Sequence, residues 1–158
     1  MLDDGEIDAL FASNAPLAYL AGSPSIAPLF PDHAAREHDR YRRTGIFPIM
    51  HTVVAHRGLF EANPGLAQCL YRGFLVAKDA AADRYREARP SFQVTTMVPW
   101  MCNLPEENSA MFPENWFPYG IDANRKALET FLRYSHEQGL SQTPRAVDKL
   151  FAEELWLT

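Results

Sequence analysis

Two adjacent guanidinium side chains, Arg42 and Arg43, precede His51 by fewer than ten residues, with Thr44 directly behind them and Glu37 in the charged run ahead. Those residue types suit anion chemistry. A guanidinium offers a planar fork of N–H donors that matches a carboxylate, a threonine hydroxyl adds a hydrogen bond, and an imidazole exchanges protons near neutral pH. Arg42 and Arg43 are therefore candidate carboxylate ligands, Thr44 a candidate donor, and His51 a candidate proton-transfer group. Glu37, one helical turn before Tyr41, would orient the hydroxyl or the imidazole. Histidine among apolar residues is more often a hydrogen-bonded core residue than a catalyst, so both readings of His51 stand at this point.

The elements that must hold these groups are legible as a pattern. Residues 37–43 (EHDRYRR) form a charged helical turn, and Gly45 stands where a helix C-terminus favours left-handed dihedrals. Only one of two adjacent helical arginines can point inward. The run Ile-Phe-Pro-Ile-Met-His-Thr-Val-Val over residues 46–54 predicts a strand apolar on both faces, with His51 on the side of Phe47, Ile49 and Val53. Pro48 cannot donate to a ladder and belongs near the strand start or on an edge.

Around that strand the sequence predicts mostly helix. Residues 4–13 carry Ile7, Leu10 and Phe11 at helical spacing, and a Pro-rich connection with Pro16, Pro24, Pro28 and Pro31 follows. Asn63-Pro64 reads as N-cap and first helical position of a helix running to about residue 89, with Leu66, Cys69, Leu70, Phe74, Ala77 and Ala81 inward. Residues 90–120 are rich in proline and aromatic side chains, including Trp100, Phe112, Trp116, Phe117 and Tyr119, and either form a functional lid or cover the core or a subunit interface. A short helix is expected over 103–111, with Glu106 and Glu107 at its positive end. Two more follow, over 122–138 with Ala127, Leu128, Phe131 and Leu132 inward, and from Thr143-Pro144 to about 157 with Val147, Leu150, Phe151 and Leu155 inward.

Composition narrows the function classes. The chain has 158 residues, 47% of them hydrophobic and 22% charged, enough for a single domain with a core. A net charge of -5 gives no broad basic field, so nucleic acid is not an expected partner. No apolar run approaches a membrane span, and the acidic start MLDDGEIDAL lacks the basic and apolar parts of a secretory signal, so a cytoplasmic setting is expected. Cys69 and Cys102 are expected as free thiols, too few for a disulfide framework or a zinc site. His33 and His38, beside Asp32 and Glu37, form at most a weak metal pattern, and a solvated helix start explains them as well. Walker-type, GxGxxG and GxSxG motifs are absent, and neither cofactor nor metal is expected.

Two long strings carry a family resemblance: RRTGIFPIMHTVV, and FPYGIDANRKALETFLRYSHEQGL over residues 117–140. Together they resemble the C-terminal half of the 4,5-dihydroxyphthalate decarboxylases, and the likeness extends from Gly5-Glu-Ile-Asp-Ala9 to the last helix. The resemblance implies an α/β fold of the type II periplasmic-binding-protein kind, of which this chain would be one part of two lobes. It also implies cofactor-independent, non-oxidative loss of one ring carboxylate from 4,5-dihydroxyphthalate, giving protocatechuate and CO2. Such a site must grip the retained carboxylate with cations, engage the phenols, and place an acid over the ring carbon. Two other functions fit the same architecture: a transporter-type substrate-binding protein that captures a small organic anion without reacting it, and an inactive truncated homologue. The expected partners are a small aromatic dicarboxylate and either further copies of the chain or a missing N-terminal half.

Overall fold

Gly45 ends both a helix and a unit: the chain divides into Met1–Gly45 and Ile46–Thr158, each with its own internal contacts. The computed structural model describes residues 1–88, 97, 100–112, 115 and 117–158. Regular structure among them is helical, with no β-strand.

The first unit holds α1 (Leu17–Leu20) and α2 (His33–Thr44). Residues 4–13, expected as a helix, form none. Gly5 turns left-handed at φ 71°, and the chain closes a tight turn from the Glu6 amide to the Met1 carbonyl at 2.8 Å. A helix so short is marginal without burial, and Phe11 is 97% exposed. The Ser23 hydroxyl instead fastens this start by donating to the Asp3 carboxylate. In α2 the charged run behaves as expected. Arg36 pairs with Asp32 and Arg43 with Asp39, each at 2.8 Å with i,i+4 spacing, and Gly45 at φ 64° sends its amide to the Tyr41 carbonyl at 2.7 Å.

The second unit opens with residues 46–54, where the predicted strand is replaced by backbone with no regular structure. A strand exists only by pairing, and among the described residues no other strand meets it. Its side chains are correspondingly uncovered: Met50, Val53 and Val54 are all exposed. Then come α3 (Arg57–Ala62) and α4 (Leu66–Ala88). Asn63 does not start α4, as Asn-Pro suggested; it ends α3, with its side-chain amide on the Leu59 carbonyl at 2.9 Å. His56 caps the start of α3 by accepting the Gly58 amide on Nδ1 at 3.2 Å.

The buried face of α4 also differs from the expected one. Leu66, Ala67, Tyr71, Leu75, Lys78 and Ala82 turn inward, while Cys69, Leu70, Phe74, Ala77 and Ala81 are exposed. Both sets have helical spacing, so periodicity alone could not choose between them. At 23 residues, α4 is about 35 Å long at 1.5 Å per residue.

Helix α5 (Leu104–Met111) matches the expected short helix, with Glu106 and Glu107 in its first turn. Helix α6 (Ile121–Glu137) ends at Gly139 (φ 75°), where the Gly139 amide reaches the His136 carbonyl and the Leu140 amide reaches that of Ser135. That double bond is a Schellman motif. Ala127, Leu128 and Leu132 are half-buried, whereas Phe131 is exposed. The last predicted helix is reduced to two 3₁₀ turns, Val147–Lys149 and Glu153–Leu155.

These turns stitch the unit. Glu154 accepts the Gly65 amide at 2.8 Å ahead of α4, and its carbonyl accepts the Gln68 side-chain amide at 3.2 Å. Thr158 accepts the Asp122 amide on its carbonyl at 2.7 Å and the Ile121 amide on its hydroxyl at 3.3 Å, at the start of α6. Among the described residues Ala67, Ile121 and Val147 are the buried apolar ones, and Ile121 is itself part of this seam.

Candidate functional site

Four of the five candidate residues ride on α2. Arg42 and Arg43 occupy its last turn, where cations also complement the negative end of the helix. The two are not equivalent. Arg43 holds Asp39 at 2.8 Å, whereas Arg42 makes no ion pair among the described residues and is exposed. Thr44 donates its hydroxyl proton to the Arg40 carbonyl at 2.7 Å, so the donor role expected of it is already taken by the helix backbone. Glu37 is exposed one turn before the half-buried Tyr41. These residues belong to the first unit.

His51 belongs to the second unit and is exposed, so it is not the sealed core histidine that apolar neighbours suggested. What anchors its segment is Phe47. The Phe47 ring meets Phe112 and Phe117 edge-on, each with centroids 5.3 Å apart, at interplanar angles of 86° and 72°. T-shaped aromatic pairs of this kind add about 0.5–1.5 kcal/mol beyond area burial. The imidazole is thus carried four residues along the chain from an aromatic cluster, a span of at most about 14 Å. Of the aromatic-rich run expected to cover a site, Trp116 and most of residues 90–99 lie outside the described residues.

Beside that cluster is a cation the sequence pattern hid. Lys78 lies on the inward face of α4, two turns beyond Tyr71, and its side chain is 16% exposed. Its ammonium donates to Asn115 Oδ1 at 3.0 Å and stands 5.3 Å from the centre of the Tyr119 ring. The nearest carboxylate among the described residues, on Asp79, is 3.7 Å away, beyond hydrogen-bonding reach. Tyr119 is itself fixed, because the Tyr71 hydroxyl donates to its carbonyl at 3.4 Å and Gly120 follows at φ 105° against Thr158. A lysine between apolar residues at i−3 (Leu75) and i+4 (Ala82) was the available signal.

Among the described residues, Arg125 is the group whose proton affinity the fold clearly moves. Hydrogen bonds to Asp122 and then Asp148, at 3.2 and 3.3 Å, raise its pKa above an already high value, so it stays charged at any working pH and ties α6 to the Val147–Lys149 turn. The pair is structural. Among the described residues no cluster of His, Cys, Asp or Glu could hold a metal ion, and His33 and His38 form none. Cys69 is a free, exposed thiol. No described helix is long and apolar enough to cross a membrane.

No protein-family model matches the chain. It is 29% identical over 151 residues to a 4,5-dihydroxyphthalate decarboxylase of Comamonas testosteroni, an alignment that takes in 96% of this chain and 45% of that protein. The two are distant relatives. The chain therefore spans about half the length of the curated relative it matches.

Proposed function

We propose that the chain serves in the non-oxidative decarboxylation of a dihydroxylated phthalate, as a carboxy-lyase or the C-terminal part of one. The observation that carries this reading is an identity of 29% sustained over nearly the whole chain rather than over a short motif. The reaction needs no oxidant. A proton adds to the ring carbon that bears the departing carboxylate, drawing its electron pair from the ring, and the para phenolic oxygen stabilises the cation. The carbon–carbon bond then breaks, its pair returns to the ring, and CO2 leaves.

In this reading the first unit by itself offers Arg42, the arginine not engaged by Asp39, as a group suited to a carboxylate, while Arg43 holds the end of α2. In the second unit the exposed His51, four residues along the chain from Phe47, is the group suited to proton transfer. We further propose that the α/β fold of the two-lobed kind is reached when residues 46–54 gain pairing strands from the other half of such an assembly or from further copies.

The test is to incubate the purified protein with 4,5-dihydroxyphthalate while following CO2 and protocatechuate. Stoichiometric appearance of both supports the reading. Tight capture of the dicarboxylate with no CO2 would point to a binding protein instead.

A further inference from the structure

We propose that Lys78, Asn115 and Tyr119 form a receptor for the carboxylate of an aromatic acid within the second unit. The inference rests on the decarboxylase reading for its choice of ligand and deepens it by naming a carboxylate-binding cation outside the segment the sequence singled out. A nearly buried ammonium needs compensation. Here it has one neutral oxygen at 3.0 Å, one aromatic face at 5.3 Å, and no carboxylate within hydrogen-bonding distance among the described residues. Among the described residues its remaining N–H donors meet no acceptor within hydrogen-bonding distance.

The orientation of Asn115 follows from the chemistry of its partner. Lysine only donates, so the asparagine must present its oxygen to Nζ, and its NH2 group is then directed elsewhere. That group is exposed and meets no acceptor among the described residues. One ligand carboxylate can therefore accept from Lys78 Nζ and Asn115 Nδ2 at once. A flat, apolar ligand body is favoured by the surroundings: the Tyr119 and Phe117 rings are both partly exposed, and Phe117 joins Phe47 in the aromatic cluster. The receptor is assembled in advance, because the Tyr71 hydroxyl and the Gly120–Thr158 seam fix Tyr119 from two sides.

The probe is phthalate, an aromatic dicarboxylate without the phenols the reaction requires, titrated calorimetrically into the full chain. Native protein should bind it, with affinity falling as salt rises. Lys78→Met should weaken binding about ten- to hundredfold and flatten the salt dependence, since a charge-assisted hydrogen bond is lost. Asn115→Asp gives a second arm that does not depend on altering a buried side chain. It places a carboxylate against Lys78, and should abolish phthalate binding without lowering the melting temperature. Lys78-dependent phthalate binding without CO2 release from 4,5-dihydroxyphthalate would sustain this site and defeat the decarboxylase reading. Turnover that survives both variants unchanged would do the reverse. Absence of phthalate binding to native protein, or equal binding by both variants, overturns the proposal.

Discussion

Arg42 and Arg43 are neighbours in sequence with different commitments, and that difference makes the proposed roles separable. Arg42→Ala should weaken substrate binding by removing a charge-assisted contact worth about 1.5–3 kcal/mol, seen mainly in KM. Arg43→Ala should leave KM nearly unchanged and cost α2 a few tenths of a kcal/mol, because its Asp39 pair is solvent-exposed. His51→Ala should lower kcat by about 10²–10⁴ with modest change in KM, as loss of a general acid or base does. Steady-state kinetics on the three variants checks all of this, and unchanged kcat in His51→Ala would remove the histidine from the mechanism. His51 was legible because it interrupts the apolar run 46–54, and the two arginines because they close a charged helical turn just before Gly45. Lys78 was not, since its neighbours Leu75 and Ala82 could be read as one stripe only after the inward face of α4 was known.

At the scale of elements, what could be read were the ends that carry their own local signal. Gly45 and Gly139 both end helices in left-handed conformations, and Glu106 and Glu107 mark the start of α5. What could not be read depended on distant partners. Residues 46–54 have the composition of a strand, yet strand pairing is supplied from elsewhere in a chain, and the described residues supply none. The 3₁₀ turns at Val147–Lys149 and Glu153–Leu155 exist because this segment caps the starts of α4 and α6 rather than coiling into a helix of its own. Gly120 is the hinge of that capping. A Cβ there would lie 2.6 Å from the Thr158 carbonyl carbon, at a φ of 105° that L side chains avoid. Gly120→Ala should therefore release the Thr158 seam. Hydrogen exchange at the Asp122 amide, which Thr158 now accepts, should accelerate at least tenfold for a loss of about 1.4 kcal/mol; unchanged protection would show that the seam tolerates the methyl group.

At the largest scale, the outstanding feature among the described residues is exposed apolar surface. Leu70, Phe74, Ala77, Ala81 and Tyr85 form an exposed stripe along α4, while among the described residues the buried apolar side chains are Ala67, Ile121 and Val147. Burial of that stripe needs a second apolar surface of matching shape. We expect a second copy to provide it when the protein is alone. Light scattering at micromolar concentration should report a dimer or larger species, and Phe74→Glu should shift it toward monomer by placing a charge in the contact. A monomer in the native protein would count against this.

We propose that the chain supports removal of a ring carboxylate by protonation of the carbon that carries it. Proton NMR of 4,5-dihydroxyphthalate incubated with the protein in D2O tests it most directly, because the incoming proton is then a deuteron and the product records where it went. Protocatechuate carrying deuterium at the vacated ring carbon alone is expected, formed with native protein and strongly slowed in His51→Ala. Substrate signals that persist unchanged, at a protein concentration sufficient to bind the dicarboxylate, would contradict it.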